Sequence, residues 1–126
     1  MNSVLLAFAA IPCALIAAAV LAAARRHTGR DTTPLEHAAI AIGVQAAWAA
    51  LTGDWWAGAA IGTAIFVGRE HAQSESRLRK ASLARGDFWD VLRAFRPAIW
   101  RRGDVLDVAM PAVATVAIAG AIHALV

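Results

Sequence analysis

The sequence predicts an all-α integral membrane bundle, with four spans and a cytoplasmic amphipathic helix, and three observations predict it. Of the 126 residues, 60% are hydrophobic and 17% charged, and the mean hydropathy of +0.56 leaves too little polar surface to cover a soluble core of that size. Residues 3–24 carry no charge over a membrane-crossing length. All 12 Lys and Arg residues lie in two connections, which share one side of the membrane if the chain crosses four times.

The first span, "SVLLAFAAIPCALIAAAVLAAA" (3–24), exceeds the ~20 residues a helix needs to cross the hydrocarbon core. Arg25, Arg26 and Arg30 follow this run, whereas a signal peptide places its basic residues before it, so the reading is an uncleaved span. The "AAA" before Arg25 is the one feature that imitates a cleavage site. Cys13, the single cysteine, can form no intramolecular disulfide, and burial among apolar groups disfavours its thiolate.

In "HTGRDTTPLEH" (27–37) a short loop gives way to a second helix with Thr33 as N-cap, Pro34 at N1 and Glu36 at N3. Apolar residues 38–51 then run to "TGD" (52–54), and residues 55–68 resume the pattern. A single helix over 35–68 would be about 51 Å long, more than tilt absorbs. Two antiparallel spans, 35–52 and 55–69, with a tight turn at Gly53 and Asp54 are therefore expected, a re-entrant hairpin being the alternative. Trp55 and Trp56 suit the interface, and Trp48 is placed within the bundle.

Beyond Arg69 the helical pattern continues to about Arg85, with Gly86 as a stop. In "DFWDVLRAF", Asp87 reads as an N-cap, and Phe88, Leu92, Phe95 and Ile99 form one stripe opposite Arg93, as on a helix lying in the membrane surface until Pro97 ends it. Residues 105–125 form the last span, with Pro111 tolerated inside it. The chain thus reads as a single membrane domain, 1–126, with a cytoplasmic segment at 69–103. The positive-inside tendency puts both termini outside, in the manner of a bacterial inner-membrane protein. The basic balance is read as contact with anionic lipid, not with nucleic acid.

Glu70, His71 and Glu75 form the most enzyme-like group, because His71 and Glu75 share a helix face at i, i+4 and could hold a metal or move a proton. The ordinary reading is solvated pairing with Arg69, Arg77 and Arg79, and a metal site wants three ligands or more. Asp107 lies inside the last span, where an unpaired carboxylate costs roughly 2.5–3.5 kcal/mol at mid-helix; pairing with Arg69, Arg101 or Arg102 would relieve this. His123 reads as a wetted helix end. Gly58 and Gly62, aided by Gly43 and Ala47, form a small-residue face suited to packing within or between protomers. No GxxxxGK[ST], HExxH, CxxC or GxSxG is present, so no enzyme, catalytic set, cofactor or metal site is expected.

"GREHAQSE" (68–75) and "DVLDVAMP" (104–111) carry a resemblance. Gly68, Arg69, Glu70, His71, Ala72, Gln73 and Glu75 match the "GREHAQAE" signature of a group of small phage and prophage membrane proteins, in which it follows an apolar hairpin with paired Trp. Ser74 replaces Ala, and "SRLR" departs from that group's aromatic continuation. The resemblance implies a phage origin and a holin-like association with host cell lysis, in which the chain would oligomerise and permeabilise the inner membrane. It brings no catalytic residue. The residues also suit a non-lytic interaction protein, such as a superinfection-exclusion factor or accessory subunit, whose basic segment meets a cytoplasmic protein. A third reading is a small membrane enzyme or proton-coupled carrier using Asp107 with His71 or Glu70.

Overall fold

Residues 2–125 are described by a computed structural model as five helices: α1 (Ser3–Thr28), α2 (Thr33–Thr52), α3 (Trp55–Lys80), α4 (Trp89–Arg93) and α5 (Arg102–Leu125), with no strand among the described residues. The all-α class is as the sequence predicts. Of these helices, α1 and α5 are long and apolar enough to cross a membrane.

The hairpin turn forms where "TGD" places it. Gly53 adopts φ +77°, a conformation that favours glycine, and its N–H reaches the Ala49 carbonyl at 2.8 Å. Asp54 then caps α3 by accepting from the Ala57 N–H at 2.9 Å.

Helix α2 is the centre of the bundle and packs against α1, α3 and α5. Gly58 faces Gln45 and Gly62 faces Ala41, so α2 and α3 run antiparallel. A Cβ on either glycine would lie 2.7 Å from the facing main-chain oxygen. The two glycines are therefore used inside the chain, to let two helix backbones approach. Helix α5 runs parallel to α2, as the pairs His37–Asp107 and Gln45–Thr115 show. The Gln45 amide donates to the carbonyls of Thr115 at 2.9 Å and Trp55 at 3.1 Å, while the Thr63 and Thr115 hydroxyls meet at 3.2 Å. One polar side chain thereby fixes the register of three helices. Around it the core is built largely of alanine, with Ala7, Ala46, Ala49, Ala59 and Ala119 against Trp55.

Several expectations are corrected. The cap of α2 is Thr32, one residue before Thr33, and its hydroxyl lies 2.7 Å from Glu36 Oε1. Helix α1 extends to Thr28, beyond the apolar run, because Arg25 pairs with Glu36 at 3.0 Å and Gly29 closes the C-terminus. Helix α3 stops at Lys80, not near Arg85. Ser82 turns left-handed at φ 56°, and the N–H groups of Ser82 and Leu83 close back on the Arg79 and Leu78 carbonyls. The amphipathic helix shrinks to Trp89–Arg93, and Asp87 is not its cap. Asp90 accepts instead from the N–H groups of Arg85 and Gly86, which ties the preceding turn to this short helix. Helix α5 begins at Arg102, earlier than residue 105, because Asp104 accepts from the Arg101 N–H at 2.7 Å and pairs with Arg77 at 2.5 Å. Trp48 is 39% exposed, not within the bundle, and Cys13 is exposed on α1; Trp55 is buried while Trp56 is half exposed.

Candidate functional site

The basic end of the bundle holds a buried ionisable cluster, assembled from three helices. His37 comes from the first turns of α2, Arg69 and Glu70 from the middle of α3, and Asp107 from the second turn of α5. Parallel packing of α2 on α5 brings His37 and Asp107 to one level, and α3, antiparallel to both, delivers Arg69 and Glu70 there. The His37 ring stacks on Phe66, with centroids 4.6 Å apart.

The side chains divide their atoms in a particular way. Arg69 Nη1 donates to Glu70 Oε1 and lies 4.0 Å from Asp107 Oδ2. The other oxygens, Glu70 Oε2 and Asp107 Oδ1, are buried and have no hydrogen-bond partner among the described residues, and neither has His37 Nδ1. His37 Nδ1 stands 3.4 Å from Asp107 Oδ1, and one ligand atom from each of His37, Glu70 and Asp107 fits within a 4.8 Å span. His37 is 8% exposed and Glu70 0%, so bulk solvent does not reach their unpaired atoms.

Of the residues singled out from sequence, Arg69, Glu70 and Asp107 meet here. The remainder do not. His71 turns away, placing Nε2 2.7 Å from the Val91 carbonyl and its ring 4.1 Å from Phe95, so it holds the 81–101 segment against α3. Glu75 pairs with Arg79, so His71 and Glu75 share a helix face but take different partners. Gly68 is exposed, and Gln73 is exposed with its amide group 3.2 Å from the Arg69 guanidinium. Asp107 pairs with His37 and Arg69, not with Arg101 or Arg102. His123 lies at the opposite end, beside Asp54, Trp55 and Trp56 in an open cleft of about 510 Å³. Gly58 and Gly62 serve the α2–α3 contact.

His37 was missed by sequence reasoning, although a signal existed. It lies two residues inside one span and Asp107 two residues inside another, both starting from the basic side, so equal depth alone would have paired them.

The adjoining 81–101 segment has its own electrostatic anchor. Burial alone would raise the Asp90 carboxyl, but the Arg85 and Gly86 N–H groups and the Arg93 guanidinium prevail and hold it below the usual 3.8. Comparison with protein-family models, with curated proteins and with solved structures finds no match to this chain.

Proposed function

We propose that the chain is a four-span inner-membrane protein with both termini outside the cytoplasm, acting as a non-lytic interaction module whose segment 69–103 works at the anionic inner surface. The observation that carries this reading is the make-up of the 81–101 segment. Leu83, Phe88, Trp89, Leu92 and Phe95 are 50–74% exposed there, beside Arg85, Arg96, Arg101 and Arg102. In bulk water such a patch is unfavourable; at the headgroup layer its rings enter the interface while its guanidinium groups meet lipid phosphates. Exposed Leu5, Phe8, Leu15, Ile16 and Val20 on α1, with Val113 and Val116 on α5, suit acyl chains. Helix α2, 20 residues or about 30 Å, matches the hydrocarbon thickness.

A holin-like function is the second reading, and it retains one supporting feature. Since α2 occupies Gly58 and Gly62, assembly of copies would have to use another face. A shallow groove lined by Ala60, Thr63, Ala64, Gly68 and Ala112 between α3 and α5 provides one. Controlled expression in bacteria, with growth and membrane potential followed together, separates the readings. Polarised, growing cells containing abundant inserted protein support the interaction module, whereas abrupt depolarisation at a defined time rejects it in favour of lysis.

A further inference from the structure

We propose that His37, Glu70 and Asp107 bind one divalent transition-metal ion of the zinc type. Three unpartnered buried atoms carry the inference: His37 Nδ1, Glu70 Oε2 and Asp107 Oδ1. An isolated orphan of this kind costs about 1–3 kcal/mol, and the three residues that carry them bring one ligand atom each within 4.8 Å of one another, which suits a common ligand. Each atom is a Lewis base, and none can satisfy the others while His37 Nδ1 carries no proton.

Donor type selects the ion, and the His37–Asp107 separation fits it. Tetrahedral zinc holds nitrogen and oxygen ligands at about 2.0–2.2 Å, which sets them roughly 3.3–3.5 Å apart. His37 Nδ1 and Asp107 Oδ1 stand at 3.4 Å. One imidazole with two carboxylates suits zinc and its neighbours, whereas calcium and magnesium prefer oxygen ligands throughout. Three protein ligands leave a fourth position for water.

Arg69 is the positioning residue. It engages Glu70 Oε1 and lies near Asp107 Oδ2, which leaves one oxygen of each carboxylate free. In their metal-binding forms, two carboxylates and a neutral imidazole beside one guanidinium carry an excess of one negative charge, which a cation offsets. This site depends only on the α2–α3–α5 packing and stands whether or not the proposed topology is correct.

The test uses the full-length, tag-free chain in nanodiscs of uncharged phosphatidylcholine, stripped with chelator and titrated with Zn²⁺ and Co²⁺. The expected result is one saturable Zn²⁺ equivalent per chain, tetrahedral d–d bands with Co²⁺, and paramagnetic shifts on the His37 imidazole in the unaltered protein. His37→Ala and Asp107→Asn should each weaken Zn²⁺ binding by more than about tenfold, since losing a ligand exceeds losing a supporting partner. His71→Ala and His123→Ala should leave it unchanged. Absence of saturable binding to the unaltered chain overturns the proposal, as do Co²⁺ shifts confined to His71 or His123. Because the His37 shifts are read on the unaltered protein, a variant that fails to fold does not remove the test.

Discussion

His37 Nδ1 and Asp107 Oδ1 face each other at 3.4 Å across the α2–α5 contact, in the same parallel register that joins the Gln45 amide to the Thr115 carbonyl at 2.9 Å. Two polar contacts at different depths thus specify one helix alignment, within a core whose alanines could pack in several.

His37 and Asp107 approach each other without a formed hydrogen bond, so their coupling in metal-free protein is electrostatic, and Asp107 keeps Arg69 at 4.0 Å when His37 is removed. In metal-free protein, His37→Leu and Asp107→Leu should each cost about 1–3 kcal/mol. The double variant should cost less than their sum, because the electrostatic contact between two neighbouring groups is lost only once. Unfolding titrations of the four proteins in mixed micelles measure the difference; additive losses would show that the pair does not interact.

The α2–α3 contact tolerates no side chain at its glycines. Gly62→Ala would set a Cβ 2.7 Å from the Ala41 oxygen and should cost about 1–3 kcal/mol through displaced backbone. Nothing lies within 4 Å of a Cβ at Gly68, so Gly68→Ala should stabilise α3 by up to about 1 kcal/mol through helix propensity. Thermal unfolding followed by circular dichroism tests the opposite signs.

Asp90 should make the 81–101 segment sensitive to acid. Its folded carboxyl titrates below the unfolded value of 3.8, so its stabilisation is fully present above that pH and is lost as pH falls through the folded value. Protection of the Arg85 and Gly86 amides, measured relative to the intrinsic exchange rate, should fall as pH drops below about 4. Asp90→Asn should show fast exchange already at neutral pH and no further acid step, and an acid step retained in this variant would assign it to another carboxylate.

His71 should act as a clasp and not as a reactive group. His71→Ala removes the contact to the Val91 carbonyl and the stacking on Phe95. Trypsin cleavage after Arg85 and Arg93 should rise several-fold, with helix content of the bundle unchanged. Unchanged cleavage would mean that the segment is held by Asp90 and Arg77 alone.

The readable parts of this sequence were local ones. The turn at Gly53 and Asp54 followed from φ > 0 and a capping carboxylate, and the helical runs from apolar stretches whose length a helix accommodates. The burial of Asp107 was legible as a cost requiring a partner. The identity of that partner was not, because His37 lies in a helix start that reads as ordinary N-terminal polarity until α5 is laid beside it. The amphipathic stripe from Phe88 to Ile99 misled for a different reason: its periodicity was real, but Asp90 caps the turn before it and Pro97 breaks its second half, leaving five helical residues. His71 and Glu75 share a helix face yet find different partners, since spacing along one helix does not reveal which groups pack on it.

Topology in living bacteria tests the central claim most directly. Dual reporters that are active on opposite sides of the inner membrane are joined after Gly53, after Arg85 and after Val126. The four-span account predicts periplasmic activity at Gly53 and Val126 and cytoplasmic activity at Arg85. Cytoplasmic activity at Gly53, or Arg85 and Val126 on the same side, would contradict it.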